Sequence, residues 1–164
     1  MDDTQLIELL DTLAEAELTL ALAESLTGGA LCARLVDVPK ASRVLRGGVC
    51  TYATQLKAKL LGVDSTLLAE RGPVDAEVAR QMAQGARSLM GAELALSTTG
   101  VAGPGPADGH EAGTVHIALA WSKGVAQRQL RLEGERAQVR SGTVDAALKL
   151  LKDTLESGEI RDSH

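Results

Sequence analysis

Hydrophobic residues in this chain form short continuous runs, and between the runs they recur with the spacing of one helical face. The continuous runs predict strands at 18–23, 44–52, 92–98, 114–121 and 125–132. The periodic stretches predict helices at 4–16, 28–37, 54–61, 64–71, 75–90 and 135–155. Thr4, Thr54 and Asp75 are the predicted N-caps of three of these helices.

The order of these elements predicts the fold. Strands that alternate with helices are typical of a parallel sheet covered on both faces. The three-residue link at 122–124 is too short for a crossover, so the two strands that it joins must run antiparallel. We therefore expect an α/β fold, a three-layer α/β/α sandwich whose sheet is mostly parallel with one antiparallel strand. The length fits a single domain over 1–164, with 157–164 as a frayed tail.

The composition argues against several classes of partner. With no Phe, one Tyr and one Trp, the chain lacks the aromatic platforms on which single-stranded nucleic acid stacks. Its net charge of −5 has the wrong sign for binding a phosphate backbone. No apolar run approaches the roughly 20 residues of a membrane helix, and the acidic N-terminus lacks the basic region of a signal peptide. Since Cys32 and Cys50 show no C-x-x-C spacing, we expect reduced cysteines in a cytoplasmic protein that binds neither nucleic acid nor membrane.

The stretch Leu20–Gly29, with the sequence LALAESLTGG, joins a predicted buried strand to the start of a helix. Ligands of open α/β sheets bind at such strand ends, where the N–H groups of the helix favour negative charge. Ser25 beside these donors has the two parts of an acyl-transfer site, a nucleophile and an oxyanion pocket. Thr27, Gly28 and Gly29 are candidate substrate-binding residues. The alternative is that Ser25 or Thr27 only caps the helix.

Two further loops, at 52–57 and 99–113, also follow predicted parallel strands, and all three loops should meet at one crevice. If Thr54 caps its helix, Lys57 lies in the first turn, where the helix dipole disfavours a cation and lowers the lysine pKa. A neutral lysine can act as a general base for Ser25, with Tyr52 as a hydroxyl relay or orienting group. The alternative is a solvated surface lysine and a half-buried tyrosine.

The third loop is rich in glycine but matches no phosphate-binding motif, because the G-K-[ST] of a Walker sequence is absent. It is either a flexible loop or a turn that cradles a ligand. In the second case Thr99, Gly100 and Val101 are substrate-binding candidates. The three histidines have no metal-ligand spacing with each other or with the cysteines, so we expect no metal site; they are His110, His116 and His164.

Five motifs occur together in the chain: AESLTGG, VCTYATQLKAKLLGV, GPV, STTGVAGP and GTVHIALA. In this combination the chain resembles the CinA C-terminal-domain family, the bacterial nicotinamide mononucleotide deamidases, over roughly residues 5–155. The resemblance implies an α/β/α sandwich with one antiparallel strand, in a stand-alone form without the N-terminal molybdopterin-binding-like domain of longer members. It also implies a homodimer that hydrolyses the amide of nicotinamide mononucleotide to nicotinate mononucleotide and ammonia, without metal or cofactor, in pyridine nucleotide salvage. The family's catalytic serine, tyrosine and lysine fall on Ser25, Tyr52 and Lys57.

The resemblance also directs attention to two arginines at the start of the last predicted helix. Arg136 and Arg140 are four residues apart, so both lie on one helix face. Arginines oppose the helix dipole at this end unless they share an anion with the free N–H groups. We therefore predict that both bind the phosphate of the substrate. The alternative is a pair of solvated arginines bonded to Glu133 or Glu135.

Three positions depart from the family pattern. Leu26 replaces a cysteine after the serine, Thr54 replaces an asparagine two residues after the tyrosine, and His110-Glu111-Ala112 replaces Lys-Pro-Val. The first difference is expected to concern packing, whereas the other two border the site and bear on the substrate. Two alternatives therefore stand beside the deamidase: a paralogue that binds a nucleotide or a partner without turnover, and an amidohydrolase of another pyridine or sugar nucleotide. Retention of the three catalytic residue types favours an enzyme.

Overall fold

Within residues 1–160, which the computed structural model describes, one central sheet contains all the strands. The strands are β1 (Leu20–Glu24), β2 (Leu45–Cys50), β3 (Leu94–Gly100), β4 (Thr114–Trp121) and β5 (Gly124–Arg131). The helices are α1 (Asp3–Glu15), α2 (Ala30–Val36), α3 (Thr54–Leu61), α4 (Ser65–Arg71), α5 (Ala76–Met90) and α6 (Arg136–Glu156), and a short 3₁₀ helix covers Ala41–Arg43. None of these helices is long and apolar enough to span a membrane.

The strand order in the sheet is β2-β1-β3-β4-β5. β1 pairs in parallel with β2 on one side and with β3 on the other. β4 pairs antiparallel with both β3 and β5, so β4 alone among the described strands runs against the other four. The predicted α/β sandwich with a mostly parallel sheet and one antiparallel strand is therefore confirmed.

The two faces of the sheet carry side chains of different size, because successive residues of a strand point to opposite faces. One face is built from large aliphatic residues: Leu20, Leu22, Leu94, Leu96, Val115, Ile117 and Leu119. The other face is built from alanines: Ala21, Ala23, Ala95, Ala118 and Ala120. Helices α1, α2 and α6 pack on the aliphatic face, and α3, α4 and α5 lie on the alanine side. Aliphatic side chains and alanines therefore fill the space between the sheet and its helices, and the core is formed without Phe.

The N-termini of the helices show which N-caps were correctly predicted from the local sequence and which were not. Asp75 caps α5 by accepting hydrogen bonds from two backbone N–H groups, as predicted. The predicted caps at Thr4 and Thr54 are wrong. Asp2 caps α1 in a capping box with Gln5. Thr54 is the first helical residue of α3, and its N-cap Ala53 forms no side-chain cap bond.

The C-terminal end of the described chain is packed rather than frayed. Ser157 is the C-cap of α6, and its hydroxyl donates to the carbonyl of Thr154. Ile160 is 1% exposed and belongs to the aliphatic core. The predicted frayed tail at 157–164 is therefore wrong for residues 157–160, because burial of an isoleucine holds them against the sheet. The remainder of that prediction, 161–164, lies outside the described residues.

Candidate active site

The loops that follow β1, β2 and β3 meet in one cleft of about 220 Å³ at the carboxyl edge of the sheet. This is the edge at which open α/β sheets bind their ligands. The cleft is lined by Ser25, Leu26, Tyr52, Thr54, Lys57, Pro73, Val74, residues 99–105, Ala107, Asp108 and Arg136. It thus contains seven of the residues predicted for the site: Ser25, Tyr52, Lys57, Thr99, Gly100, Val101 and Arg136.

Ser25 and Lys57 are in direct contact at the floor of this cleft. The Lys57 Nζ lies 3.0 Å from the Ser25 Oγ and donates a second hydrogen bond of 2.5 Å to the carbonyl oxygen of Thr51. Lys57 is fully buried and Ser25 is 8% exposed. The sequence alternative of a solvated lysine is therefore wrong: α3 directs this side chain inward, to the turn that follows β1.

Burial changes the protonation of Lys57. Loss of hydration disfavours the ammonium form and lowers the pKa of Lys57 from 10.5 to about 8, although the carboxylate of Asp108 acts in the opposite direction. A lysine with this pKa has a substantial neutral fraction near physiological pH. Its lone pair can then accept the Ser25 hydroxyl proton, which is the requirement for a serine nucleophile activated by an amine.

Glu24, the last residue of β1, organises the turn that carries Ser25, and the sequence reasoning missed it. Its buried carboxylate accepts hydrogen bonds from the backbone N–H groups of Gly29, Leu31 and Cys32, at 2.8 to 3.1 Å. A carboxylate is favoured at the positive end of a helix. The available signal was an acidic residue closing a buried strand just before a helix.

This arrangement corrects one expectation about the start of α2. The N–H groups of Gly29, Leu31 and Cys32 were expected to face a ligand, but they are already bound to Glu24. The backbone N–H groups of Leu26 and Thr27 make no hydrogen bond among the described residues. Of these two residues Leu26 lines the cleft, so its N–H group is the donor beside Ser25 that a substrate oxygen can reach.

We expect Glu24→Gln to lower the free energy of unfolding by about 1.5–3 kcal/mol, since an amide keeps only one acceptor oxygen for these donors. Urea unfolding, followed as a shift in midpoint at constant slope, measures this change. The matched control is Glu70→Gln on α4, an exposed carboxylate with no described hydrogen bond or ion pair, for which we expect a change within about 0.5 kcal/mol. Equal midpoints for the two variants would show that Glu24 does not hold the turn.

The predicted binding residues after Ser25 do not line the cleft. Thr27 is fully buried, and its hydroxyl lies 2.8 Å from that of Thr98 on β3. Gly28 and Gly29 have φ values of +58° and +98°, a left-handed backbone in which side chains are strained. These three residues shape the turn that presents Ser25.

Tyr52 and Arg136 form a pair at the mouth of the cleft. The Tyr52 side chain is 64% exposed, and its hydroxyl accepts a hydrogen bond of 3.4 Å from the Arg136 guanidinium. Arg136 also donates to the carbonyl oxygen of Gly103 at 2.6 Å. The expected hydrogen-bond path from Tyr52 to Lys57 is not formed, because the partners of the Lys57 amine are Ser25 and Thr51.

Arg140 has a different environment from Arg136. Its guanidinium donates to the carbonyl oxygens of Leu26 at 3.0 Å and of Thr27 at 2.8 Å. It lines an adjacent groove that Arg136 also lines, but it is not among the residues that line the cleft of Ser25. The two arginines therefore share this groove, and of the two only Arg136 also lines the cleft; their joint binding of a phosphate stays a prediction.

The start of the third loop is tightly packed rather than flexible. The Thr99 hydroxyl donates to the carbonyl oxygen of Pro73 at 2.6 Å. A Cβ on Gly100 would stand 2.6 Å from the carbonyl oxygen of Thr114, so only glycine allows β3 and β4 this close. Val101 donates its N–H to the same Thr114 oxygen. The flexible-loop alternative is wrong for these residues.

The three departures from the family pattern have different positions. Leu26 is 4% exposed and belongs to the aliphatic core, although one side of it borders the cleft. Thr54 lines the cleft directly. His110, Glu111 and Ala112 do not line it, and Ala112 faces the adjacent groove. Of these positions, Leu26 and Thr54 can contact a ligand of Ser25, and Thr54 is the one with a polar side chain.

In residues 1–160, no group of three or more His, Cys, Asp or Glu side chains is arranged to hold a metal ion. His116, for example, is 6% exposed and its Nδ1 contacts the amide of Gln127. Metal independence stays a prediction that activity measurements must test.

The fold and the cleft define an α/β/α sandwich with a buried serine–lysine pair at the carboxyl edge of its sheet. The chain belongs to the CinA family: the model of the CinA C-terminal domain matches residues 3–155. A CinA-like protein of Frankia casuarinae is 47% identical over 94% of this chain, and a putative competence-damage inducible protein of Desulforamulus reducens is 49% identical over 88% of it. These alignments cover 36% and 35% of the two relatives, so the chain spans about a third of their length.

Solved structures agree with this family assignment. The competence/damage inducible protein CihA from Agrobacterium tumefaciens superposes with a TM-score of 0.88 and 31% identity, covering 92% of this chain and 93% of that one. The competence damage-inducible protein A (ComA) from Klebsiella pneumoniae superposes with a TM-score of 0.90 and 29% identity, covering 95% and 98%. The three-layer fold is therefore the fold of this superfamily.

Proposed function

We propose that this protein is an amidohydrolase that converts nicotinamide mononucleotide to nicotinate mononucleotide and ammonia, in pyridine nucleotide salvage. The observation that carries the proposal is the 3.0 Å contact between the Ser25 hydroxyl and the buried amine of Lys57. A lysine whose pKa is lowered to about 8 can take a proton from a serine. The choice of substrate rests on the family resemblance, and the choice of reaction type rests on the serine–lysine contact.

In the proposed first step, the Ser25 Oγ attacks the carboxamide carbon while the neutral Lys57 amine takes the hydroxyl proton. The C–N bond then breaks, and the lysine ammonium returns a proton to the departing nitrogen, which leaves as ammonia. The rest of the mononucleotide, with its ribose phosphate, remains on Ser25 as an ester of its carboxyl group. Water attacks this ester with Lys57 accepting its proton, and the same proton passes to the Ser25 oxygen as nicotinate mononucleotide leaves. The sum of the two steps is amide plus water giving acid plus ammonia.

The oxyanion that forms on the carboxamide needs hydrogen-bond donors near Ser25. We propose the backbone N–H group of Leu26, which lines the cleft and makes no described hydrogen bond, because Glu24 occupies the N–H groups further into α2. Arg140 would then act as a positioning residue. By donating to the carbonyl oxygens of Leu26 and Thr27, its guanidinium fixes the turn that follows Ser25 and Leu26.

Arg136 is our proposed ligand for the phosphate of the substrate. It is an exposed guanidinium that lines the cleft mouth, where it donates to the Gly103 carbonyl oxygen and the Tyr52 hydroxyl. Arg140 does not line this cleft and donates to two carbonyl oxygens of the Ser25 turn. Guanidinium groups bind phosphate through charge-assisted, often bidentate hydrogen bonds. The Tyr52 hydroxyl, already in contact with Arg136, would orient that guanidinium or contact the substrate beside it.

Arg136→Ala is expected to raise KM for the mononucleotide by about 10- to 100-fold with little change in kcat, the equivalent of about 1.5–3 kcal/mol of lost charge-assisted binding. Steady-state ammonia release measures both constants. The dephosphorylated riboside should be a poor substrate of the parent protein and should lose little more in the variant. Arg140→Ala should instead lower kcat and the melting temperature. If Arg136→Ala handles the mononucleotide as the parent does, the phosphate binds elsewhere.

Two alternatives remain open to experiment. Thr54 lines the cleft where relatives usually have asparagine, which favours testing other pyridine nucleotides and sugar nucleotides as amide substrates. A paralogue that binds nucleotides or partners without turnover would release ammonia from none of them. Measuring ammonia release from a small panel of amides distinguishes the mononucleotide deamidase, an amidohydrolase of another nucleotide and a binding protein without turnover. The homodimer implied by the resemblance, and the absence of any cofactor, are further proposals.

A further inference from the structure

A tight turn at Ala107–His110 overhangs the cleft and places Asp108 at its tip. Ala107 and His110 exchange two backbone hydrogen bonds of 2.9 Å. Asp108 and Gly109 both have positive φ, at +50° and +78°. Two central residues with positive φ define a type I′ hairpin turn, which strongly favours Asp-Gly and Asn-Gly. The position of the Asp108 backbone is therefore fixed by the turn.

The carboxylate of Asp108 is distinctive in this cleft. Among the described residues that line the cleft, it is the one acidic group, and Lys57 and Arg136 are the cations. No described residue forms a hydrogen bond or an ion pair with it, although it is close enough to Lys57 to raise the pKa of that amine. Asp108 is exposed at the tip of its turn, and an unpaired carboxylate on the wall of a ligand cleft is available for a positive charge on the ligand.

We propose that Asp108 is a specificity residue that selects substrates with a positively charged pyridinium ring over their uncharged reduced forms. The inference rests on the proposed function. A carboxamide held at Ser25 and Lys57 brings the ring nitrogen within a few ångströms of them, because that nitrogen is two bonds from the ring carbon carrying the carboxamide. Asp108 supplies the negative charge in this region, and Arg136 supplies the positive charge for the phosphate. The cleft is thus matched to a zwitterionic mononucleotide.

The test compares nicotinamide mononucleotide with its reduced form, which has the same ribose, phosphate and carboxamide but an uncharged ring. Binding of each is measured by calorimetry to Ser25→Ala and to Ser25→Ala combined with Asp108→Asn. Asparagine keeps the type I′ turn, so the substitution removes charge without disturbing the backbone. Glu111→Gln in the same background is the matched control, since it removes one negative charge from the same loop outside the cleft.

We expect Asp108→Asn to weaken binding of the charged form roughly three- to tenfold and binding of the reduced form by less than about twofold. Glu111→Gln should change neither. If both forms lost affinity equally, Asp108 would contact the ribose or only support the turn, and the proposal would be wrong. The proposal would also be wrong if Asp108→Asn left the affinity for the charged form unchanged, or if neither form bound. Failure of the parent protein to release ammonia would refute the proposed reaction alone, because the binding difference does not depend on turnover.

The dependence of the rate of ammonia release on pH provides a second test. It would not change if Asp108 had only a structural role. Removing the Asp108 carboxylate should lower the pKa of Lys57, because this carboxylate stabilises the ammonium form. The midpoint of the rate against pH should therefore move to lower pH in Asp108→Asn and stay in place in Glu111→Gln. An unmoved midpoint in Asp108→Asn would mean that the carboxylate does not act on the cleft interior, and it would overturn the proposal.

Discussion

Ser25→Ala is expected to lower ammonia release from nicotinamide mononucleotide by on the order of a thousandfold or more. The hydroxyl oxygen is the proposed attacking atom, and no other described side chain contacts the Lys57 amine. The fold should survive, because the change removes a single hydroxyl whose described hydrogen-bond partner is Lys57. We expect the free energy of unfolding to change by about 1 kcal/mol or less.

Ser97→Ala is the matched control for this substitution. Ser97 is a fully buried serine on β3 whose hydroxyl donates to the carbonyl oxygen of Ala79 at 2.6 Å. Its loss should lower stability by about 1 kcal/mol while leaving ammonia release unchanged. Quenched turnover of the parent should also yield an ester adduct of nicotinate mononucleotide on the peptide that contains Ser25. A Ser25→Ala protein that keeps the parent rate would refute the nucleophile assignment.

The rate of ammonia release should rise with pH and level off above a midpoint near 8, the lowered pKa of Lys57. The neutral amine is the active form, so the protonated enzyme below this pH is inactive. Lys57→Met and Lys57→Arg should both be inactive, because a guanidinium keeps its proton throughout this range. Lys59→Met, an exposed lysine two residues further along α3, should behave as the parent does. An active Lys57→Arg protein would remove lysine from the role of base.

Stability should show the same titration independently of catalysis. Between pH 8 and 10.5 the unfolded chain keeps a proton on Lys57 that the folded protein has lost, so stability rises with pH across this window. Relative to Lys57→Met, the parent should gain about 2 kcal/mol between about pH 7 and 9.5. Urea unfolding of both proteins at the two pH values measures the difference. A difference that does not change with pH would mean that burial leaves the pKa of Lys57 unaltered.

Elements with a clear hydrophobic pattern, continuous for a buried strand and periodic for a helix, were predictable from the sequence. β4 and α3 occupy the predicted ranges, Thr114–Trp121 and Thr54–Leu61. Asp75 caps α5 as predicted, because a cap depends on residues two or three positions away. Such features are local, and a short window of sequence contains the information that fixes them.

The sequence alone also determined the fold class and which three loops meet at one cleft. Strand and helix order with connection lengths leaves few topologies, and parallel strands put their carboxyl ends at one edge. It placed Ser25 and Lys57 on two of those loops. Their hydrogen bond needed the packing of α3 on the alanine side of the sheet, which turns the Lys57 side chain inward.

Only the tertiary structure decided which polar groups were free for a ligand and which were already bound. Arg136 and Arg140 are alike in sequence, but Arg140 donates to two carbonyl oxygens of the Ser25 turn, whereas Arg136 is exposed and contacts Tyr52 and Gly103 at the cleft mouth. Glu24 accepts hydrogen bonds from the N–H groups at the start of α2, whereas the carboxylate of Asp108, which lines the cleft, has no described hydrogen bond or ion pair. Residue type gives each group its capacity for hydrogen bonds and charge. Whether that capacity is satisfied depends on distances of a few ångströms between remote segments, which packing fixes and a linear pattern does not contain.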